Sequence, residues 1–387
     1  MVRTLIGLLV GASVLSVGVS GQTMLKSALH DYRVTTFVDA LVQPWSIAFL
    51  PGGDTLITER PGRLRIVRNG KLMPQPVEGV PAVIYANQGG LLEVAPHPDF
   101  AANRFLYLTF SKPIGDGKEG TTVLVRGRFE NDRLTNVQQL FESVSKGRGH
   151  YGGKIAFDGK GFLFLTLGDR QVPPEGNLEA HPAQDLTNHH GKIVRLHDDG
   201  RVPADNPFVN RAGTRPETWS YGHRNVQGIA IHPETGDVYA TEHGPMGGDE
   251  LNRILPGLNY GWPVIGFGVN YTTGLAIHKG TIREGMEQPR YLWVPSIGIS
   301  GGMFYTGDRF PQWQGNFFTA GMAGQQLARL TLKGTSVVSQ ETLVPQMGRI
   351  RDVRQGLDGF IYLAIEDRDG KPTPVLRLEP VERSTSK

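Results

Sequence analysis

Residues 227–242 read Gln-Gly-Ile-Ala-Ile-His-Pro-Glu-Thr-Gly-Asp-Val-Tyr-Ala-Thr-Glu, which is an apolar run, a turn rich in Pro, Gly and Asp, and a second apolar run. Short runs of this kind, bounded by turn residues, predict two strands joined by a turn. A third strand-like run often follows such a pair, as at 63–67, 191–196 and 326–332. The pattern, degenerate in its fifth copy, recurs in units that begin at Pro44, Gly89, Gly152, Gln227, Gly301 and Arg351.

Six copies of one strand-turn-strand unit predict an all-β, six-bladed β-propeller, in which radial repetition protects the edges of the sheets. The extended segment 32–38 is expected to complete the last blade and close the ring. Two long inserts, 171–190 and 266–296, are expected to form loops on one face and to build a site there. A β-sandwich or two smaller β domains is the alternative. The propeller is expected to occupy residues 22–387 as a single domain.

The composition restricts the classes of partner and chemistry. A chain of 387 residues is long for one compact core, but propellers reach this length as one domain. The net charge is +3, and there is no Lys/Arg run of the kind that binds nucleic acid or anionic membranes, so neither partner is expected. The chain contains no cysteine, which excludes disulfides, thiolate metal sites and thiol nucleophiles.

The N-terminus has the pattern of a secretory signal peptide, expected over residues 1–21. Arg3 is followed by an apolar run that ends in small residues near Ser20 and Gly21. The alternative is an uncleaved membrane anchor, but the run is short for a membrane span and is interrupted by Gly and Ser. We therefore expect a mature chain without a membrane span, located in the periplasm or secreted.

Two polar loops lie close together in the second half of the chain. The first, 221–228, reads Tyr-Gly-His-Arg-Asn-Val-Gln-Gly; the second, 242–252, reads Glu-His-Gly-Pro-Met-Gly-Gly-Asp-Glu-Leu-Asn and runs on to Asn-Tyr-Gly-Trp-Pro at 259–263. Glycines among polar residues let the backbone approach a ligand closely. Carbonyls and carboxylates suit Ca²⁺, and guanidinium groups suit an anionic organic ligand. The loops therefore predict a metal and an anion in one place.

Two further features suggest chemistry. His150 stands in Arg-Gly-His-Tyr-Gly-Gly, where a reachable imidazole suits general-base catalysis near neutral pH, although a structural histidine is the plainer interpretation. Arg349 and Arg351 alternate on an extended segment and are expected to point the same way. Two such guanidiniums repel each other unless an anion lies between them, so the pair predicts a bound anion; two solvated arginines are the alternative.

These motifs resemble those of the soluble aldose dehydrogenases that use pyrroloquinoline quinone (PQQ), the glucose/sorbosone dehydrogenase family. The resemblance covers nearly the whole chain after the leader. It implies oxidation of an aldose at its anomeric carbon to a lactone by hydride transfer to the quinone, with an unidentified electron acceptor. The motifs that carry it are Gln88-Gly-Gly-Leu-Leu with His97-Pro-Asp-Phe, His150-Tyr-Gly-Gly, Ala183-Gln-Asp-Leu, Tyr221-Gly-His-Arg-Asn-Val-Gln-Gly, His243-Gly-Pro through Glu250, Tyr260-Gly-Trp-Pro, and Arg349-Ile-Arg-Asp-Val.

The resemblance also implies residue roles. His150 matches the catalytic base, and Arg224 is expected to help Ca²⁺ polarise the quinone. Asn270 is a weaker candidate for a Ca²⁺ ligand, and Asp249 is expected to support the site. The positions that match cofactor-contacting residues are Gln88, Arg224, Asn225, Arg349 and Arg351. The positions that match Ca²⁺ ligands are Gly244 and Pro245, for the ion on the cofactor, and Glu250 and Tyr260, for a separate structural ion.

The chain departs from the best-known glucose dehydrogenases at two positions. Gly149 stands where they have an Asp before the catalytic His, and Ala323 falls near the position of their cofactor-binding Lys. One cationic contact is then missing, which suits the broader aldose dehydrogenase branch. Two alternative functions stay open: a Ca²⁺-dependent lactonase with a carboxylate-rich metal site in the channel, and a non-catalytic exported propeller that binds a sugar or a protein.

Overall fold

The computed structural model describes residues 23–382. Within this range the chain forms six antiparallel sheets of four or five strands, arranged as the six blades of a β-propeller. The predicted all-β, six-bladed architecture is confirmed. Because residue 22 and residues 383–387 lie outside the described range, the domain bounds 22–387 stay a prediction.

The first half of the chain forms two strands that belong to the last blade, and three complete blades. These two strands are β1 (Thr23–Lys26), at the edge of its sheet, and β2 (Asp31–Val42) next to it. Blade one contains β3 (Pro44–Phe49), β4 (Thr55–Glu59), β5 (Arg63–Arg68) and β6 (Lys71–Leu72). Blade two contains β7 (Leu91–Pro96), the short helix α1 (Phe100–Asn103), β8 (Phe105–Ile114), β9 (Glu119–Glu130) and β10 (Arg133–Glu142). Blade three contains β11 (Ile155–Phe157), β12 (Phe162–Leu167), two 3₁₀ turns (Leu178–Ala180 and Pro182–Gln184), β13 (Lys192–His197) and β14 (Thr218–Tyr221).

The second half forms three more blades. Blade four contains β15 (Val226–Ile231), β16 (Val238–Glu242), β17 (Asp249–Ile254) and β18 (Tyr291–Trp293). Blade five contains β19 (Ile299–Phe304), a 3₁₀ turn (Pro311–Trp313), β20 (Phe317–Gly321), β21 (Gln326–Lys333) and β22 (Ser336–Leu343). Blade six contains β23 (Arg349–Gln355), β24 (Ile361–Glu366) and β25 (Pro372–Val381), followed in the sheet by β2 and β1.

The two ends of the chain close the ring within blade six. Strand β2 pairs antiparallel with β25, from Asp31 opposite Val381 to Val42 opposite Pro372. The segment 32–38 lies within β2, so its predicted role in closing the ring is confirmed. Pairing the first strands with the last makes the ring a cooperative unit, because the last blade cannot be completed by residues from one end alone.

The hydrophobic core is divided among the six interfaces between neighbouring blades. Each interface has its own buried cluster; between blades four and five, for example, Tyr239 meets Phe304 and Phe317 edge-on or tilted. Since both faces of an inner strand are covered by neighbouring blades, β4 is buried at every residue, including the polar Thr55, Thr58 and Glu59. The outermost strand β10 is mostly exposed, as its polar sequence indicates.

The first strand of each blade lies near the axis of the ring. First strands pack together between blades one and two, three and four, four and five, five and six, and six and one. Successive blades repeat one connectivity, so these strands run in the same direction and the segments that lead into them meet at one end of the ring. That end gathers the segments before β7, β11, β15 and β23, where most of the predicted site residues lie.

The predicted signal peptide, residues 1–21, lies outside the described residues. Over residues 23–382, no helix is both long enough and apolar enough to cross a membrane.

Candidate active site

A cavity of about 700 Å³ lies at the end of the ring where the chain enters the first strands. A volume of this size suits an organic ligand of cofactor dimensions. Its walls come from segments belonging to all six blades or the loops between them, so the cavity exists only once the ring has closed. The predicted site residues that line it are Gln88, His150, Arg224, Asn225, Pro245, Arg349 and Arg351.

The floor of the cavity is apolar. Trp45, Leu92 and Tyr151 form a small buried cluster, and all three contact the cavity. Beneath this floor the Lys154 ammonium lies 4.1 Å from the centre of the Trp45 ring, a cation–π geometry. Aromatic side chains in the wall of an otherwise polar cavity suit a planar ligand with polar groups at its periphery.

His150 is held in a strained backbone conformation at the cavity wall. Its φ is 44°, in the left-handed region that non-glycine residues seldom adopt. Its N–H donates to Gln88 Oε1 at 2.8 Å, and its carbonyl accepts from Arg170 Nη1 at 2.6 Å. Strained residues persist where surrounding contacts over-determine them, and they cluster at functional sites. Gln88 therefore fixes the backbone of His150 in addition to lining the cavity.

The His150 ring is oriented by a carboxylate that the sequence did not single out. His150 Nδ1 lies 2.6 Å from Asp169 Oδ1, and the other oxygen of Asp169 accepts from Trp262 Nε1 at 2.8 Å. A carboxylate only accepts hydrogen bonds, so Nδ1 carries the proton and Nε2 presents its lone pair. The sequence feature that could have identified Asp169 is Gly-Asp-Arg at 168–170, a polar segment directly after the apolar strand β12.

The protonation states of this pair favour a base. Burial lowers the pKa of His150, and the Arg224 charge adds to this effect, so that together they outweigh the opposing influence of Asp169. Burial acts to raise the pKa of Asp169, but His150, Arg224 and the backbone N–H of Gln171 lower it overall. At neutral pH the pair is therefore a neutral imidazole beside an ionised carboxylate.

The two arginines predicted to share a face do so, and both bind Glu366 on the adjacent strand β24. Arg349 donates through Nε and Nη2 to Oε1 at 3.1 and 3.0 Å, and Arg351 donates through Nε to Oε2 at 2.7 Å. The shared orientation is confirmed. Glu366 supplies a carboxylate to both arginines, so their shared orientation does not by itself require a bound anion, and the expected anion stays a prediction. Since two guanidiniums meet one carboxylate, the cluster keeps a positive charge.

The cavity as a whole is positively charged. Arg60 and Arg368 also line it, so five arginines face three carboxylates, which are Asp249, Glu366 and Asp367. The sequence did not single out Arg60, which donates from Nη2 to the carbonyl of Gly89 at 3.2 Å and so faces the cavity from blade one. Ala323, the position expected to lack a cation, lies in the wall as well. The missing lysine is thus offset by arginines from other blades.

His243 is a second imidazole in the wall. Burial lowers its pKa well below the usual range, and the charges of Arg224 and Arg351 add to the effect. Its backbone N–H donates to the carbonyl of Asn225 at 3.1 Å, which ties the two predicted loops together. His243 is therefore neutral and offers the ligand hydrogen bonds rather than charge.

The Gly244–Pro245 step is held by three neighbouring side chains. Asp249 accepts from the Gly244 N–H at 3.1 Å, consistent with its expected supporting role. The Gly244 carbonyl accepts from Arg224 Nη1 at 2.8 Å and from the Tyr271 hydroxyl at 3.4 Å. Arg224 also comes within 3.4 Å of the His243 carbonyl. Exposed carbonyls that already attract a guanidinium have the donor chemistry for a hard cation.

Glu250 lies outside this cavity, in a buried acidic cluster next to it. It stands opposite Glu242 in the register of β16 and β17. Burial, and after it the Glu242 charge, raises the pKa of Glu250 to about 8. The side chain of Asn252 donates to Glu250 at 3.0 Å, while its own Oδ1 is buried and has no hydrogen-bond partner among residues 23–382. The cluster therefore has more acceptors than donors.

Tyr260, predicted to contribute a carbonyl near Glu250, is anchored through its side chain. Its hydroxyl donates to the Arg253 carbonyl at 2.6 Å and accepts from the Leu255 N–H at 2.8 Å, and its ring stacks on His223 at 4.6 Å. His223 in turn contacts Glu242 at 2.8 Å through Nδ1. The side chain of Tyr260 thus joins the loop to the acidic cluster, and the role of its carbonyl stays a prediction.

A smaller cavity of about 220 Å³ adjoins the first and also reaches His150. Residues 171–174 and 270–277 contribute to its walls, which confirms that the two long inserts lie together at the site. Glu179 links the inserts by ion pairs to Lys279 and Arg283. Asn270, the weaker candidate for the structural ion, lines this smaller cavity, and its Oδ1 accepts from two backbone N–H groups of its own turn. Its expected role beside Glu250 stays a prediction.

Comparison with known proteins gives consistent matches over the whole propeller. The sequence model of the glucose/sorbosone dehydrogenase family matches residues 41–377. Aldose sugar dehydrogenase YliI of Escherichia coli is 41% identical over 356 residues, which span 90% of this chain and 93% of the relative. The apo crystal structure of the soluble aldose sugar dehydrogenase of Escherichia coli superimposes with a TM-score of 0.84, at 39% identity and over 90% and 100% of the two chains. The PQQ-bound aldose sugar dehydrogenase of Streptomyces coelicolor superimposes with a TM-score of 0.73, at 29% identity and over 90% and 98%.

Proposed function

Because the chain belongs to the glucose/sorbosone dehydrogenase family, we propose that it is a PQQ-dependent aldose sugar dehydrogenase, which oxidises aldoses at the anomeric carbon to lactones. The observation that carries the proposal is the His150–Asp169 pair, which leaves His150 Nε2 without a hydrogen bond to any residue between 23 and 382 in the wall of a cavity lined by five arginines. The test is direct: the apo-protein, given PQQ and Ca²⁺, is expected to reduce an artificial dye with glucose or another aldose. Failure with every aldose would overturn the proposal.

His150, Asp169 and Arg224 have different roles in the proposed reaction. His150 Nε2 takes the proton of the anomeric hydroxyl, and Asp169 keeps the other ring nitrogen protonated and stabilises the imidazolium that forms. When both are bound, the quinone would accept the hydride, and Ca²⁺ would polarise the quinone carbonyl. Arg224 places a positive charge beside the reacting groups, between His150 and the Gly244 carbonyl. The described residues do not identify the acceptor that takes the electrons onward.

The cavity fits a tricarboxylate quinone by size and charge. Arg349 and Arg351 share Glu366 and keep positive charge for a ligand carboxylate, to which arginine binds well in a bidentate manner. Gln88 and Asn225 add amide groups to the wall. We propose that these four residues, with Arg224, hold the cofactor.

The two proposed Ca²⁺ sites differ in donor chemistry. On the cofactor side, the carbonyls of Gly244 and Pro245 are the proposed ligands, and the Gly244 oxygen already attracts a guanidinium. On the structural side, Glu250 and the carbonyl of Tyr260 are the proposed ligands, and Asn252 Oδ1 beside Glu250, which has no partner among the described residues 23–382, fits a cation. Both donor sets consist of oxygen, as a hard cation prefers.

We expect the activity to persist into mildly acidic solution. His150 acts as a base only when neutral, and burial together with Arg224 lowers its pKa below the usual value of about 6.5. Because a lowered pKa favours the neutral form, kcat/KM is expected to be flat from neutral pH downward and to fall only below pH ~6.5. The measurement is kcat/KM for one aldose across pH. A midpoint at or above the usual value would contradict it.

Replacing Arg351 with alanine is expected to weaken cofactor binding. Charge-assisted hydrogen bonds contribute about 1.5–3 kcal/mol, so the Kd for PQQ is expected to rise by about 13- to 150-fold. The measurement is a titration of apo-protein with PQQ followed by absorbance, which does not depend on turnover. The matched control is Arg133→Ala, an exposed arginine paired with Glu78 on blade two, which is expected to leave the Kd unchanged. Equal Kd values for the two variants would contradict this role.

The lactonase alternative expects a carboxylate-rich metal site on the axis. Among residues 23–382, no three or more His, Cys, Asp and Glu side chains are arranged to hold a metal ion. The axial carboxylates Glu93 and Asp352 are instead paired with Lys154 and Arg354. Rapid lactone hydrolysis in quinone-free buffer would favour the lactonase over the dehydrogenase.

We also propose that the protein is exported to the periplasm or secreted through its N-terminal segment. The proposal rests on the pattern of residues 1–21 alone. N-terminal sequencing of the protein from the periplasmic fraction tests it, and a mature chain that still begins at residue 1 would contradict it.

A further inference from the structure

Gly149, the residue before the proposed base, has no side chain, but the space beside it is filled. A Cβ placed on Gly149 would lie 2.8 Å from Nε2 of Gln171 and closer still to its Cδ and Oε1. The carboxamide of Gln171 therefore occupies the position that a side chain at residue 149 would take. Gln171 comes from the long insert after β12, so sequence adjacency to His150 gave no indication of it.

Gln171 is fixed to the same carboxylate oxygen as the base. Its backbone N–H donates to Asp169 Oδ1 at 2.9 Å, and that oxygen also contacts His150 Nδ1. The φ of Gln171 is 61°, so the residue is held in the left-handed region, as is Arg170 before it, at 60°. The backbone of Gln171 is thus set relative to the His150 ring through one shared atom.

The side chain of Gln171 is available to a ligand. It lines both the larger and the smaller cavity, and it is exposed. Its carboxamide makes no hydrogen bond to any other residue between 23 and 382, although an amide offers two donors and one acceptor. The anomeric hydroxyl must reach His150 Nε2, and Gln171 lines the same two cavities as His150, so the groups that can meet its carboxamide are those bonded next to the anomeric carbon. The hydroxyl on the adjacent carbon both donates and accepts, which matches an amide.

We propose that Gln171 is a specificity-determining residue, whose carboxamide binds the hydroxyl at C2 of the aldose while His150 takes the proton at C1. This inference rests on the proposed function. An amide is neutral, so it orients the sugar without adding charge beside the base. Gln171 then makes the enzyme prefer aldoses with a free C2 hydroxyl.

The test compares glucose with 2-deoxyglucose in the wild type and in Gln171→Ala. A neutral hydrogen bond contributes about 0.5–1.5 kcal/mol, which corresponds to about 2- to 13-fold. We expect the variant to lose about that factor in kcat/KM with glucose and to lose less than about 2-fold with 2-deoxyglucose. Equal losses with the two sugars would overturn the inference, since a structural role affects both. The exposed glutamine variant Gln139→Ala, on β10, is the matched control and is expected to change neither value.

A second variant, Gly149→Ala, tests the same contact by displacing the Gln171 carboxamide instead of removing it. Gly149 does not have a positive φ, so its backbone accepts alanine, but the new Cβ must displace the Gln171 carboxamide. Gly149→Ala is therefore expected to lose selectivity for glucose as Gln171→Ala does, and the double variant to lose no more than either single one. Additive losses would overturn the inference. If the wild type is inactive with every aldose, the proposed function and this inference both fail. If the wild type is active but Gln171→Ala loses equal factors in kcat/KM with glucose and with 2-deoxyglucose, only the inference fails.

Discussion

Replacing His150 with alanine is expected to lower kcat by about 100- to 10,000-fold, because the anomeric hydroxyl then has no base to take its proton. The Nε2 atom is the reactive one, since Nδ1 is engaged by Asp169 at 2.6 Å. Steady-state dye reduction with saturating glucose measures the loss. A parallel PQQ titration is expected to show binding within about 3-fold of the wild type, because His150 carries no charge that the cofactor needs.

Two further variants make this result interpretable. Asp169→Asn keeps the shape of the pair, but its amide nitrogen competes to donate to His150 Nδ1, so the proton moves to Nε2; kcat is expected to fall by a similar order. His197→Ala removes a half-exposed imidazole that packs on Phe162 in blade three, and it is expected to leave kcat unchanged. A His150→Ala enzyme with kcat within 10-fold of the wild type would exclude His150 as the base.

Replacing Asp352 with alanine is expected to destabilise the propeller by about 3–5 kcal/mol. Asp352 is fully buried and accepts from Lys154 Nζ and from Arg354 Nε, each at 2.9 Å, and from the Ile47 N–H at 3.1 Å. Burial acts to raise its pKa, but Arg354 and Lys154 lower it overall, so it is ionised. Without it, Glu93 alone faces the buried Lys154 and the partly buried Arg354.

The measurement is urea unfolding followed by tryptophan fluorescence, with the free energy of unfolding obtained by linear extrapolation. The matched control is Asp116→Ala, which removes an aspartate paired with Lys118 at the surface of blade two; no measurable change is expected there. Asp352 joins blades one, three and six, so a loss equal to that of the control would mean that this axial network does not hold the ring together.

Much of the fold was predictable because its signals are local. Each blade repeats a strand, a turn and a strand, and units beginning near Gly89, Gly152 and Gln227 each start within a few residues of an observed first strand. Closure of the ring by residues 32–38 could be predicted because the last unit of the sequence needs a further strand to complete its blade. The fourth, outermost strands were harder to predict, since exposed strands such as β22 carry few apolar residues.

The site was predictable only in part. Residues from several separate motifs, such as His150, Arg224 and Arg351, do line one cavity. Asp169, Glu366 and Gln171 were not singled out, because their roles depend on partners that lie elsewhere in the sequence. Asp169 acquires its role from His150, 19 residues earlier, and Glu366 from two arginines on the adjacent strand.

Alone, the sequence determined the architecture, the number of blades and the residue types available for chemistry, because strand periodicity and turn composition act over a few residues. Only the tertiary structure decided which groups share a charge, a proton or a space. Electrostatic and hydrogen-bonding partners act over distances of a few ångströms and regardless of separation along the chain. The pairing of β23 with β24 thus placed Glu366 between Arg349 and Arg351, where a bound anion was expected, and the folding of blade three placed Gln171 where Gly149 left room.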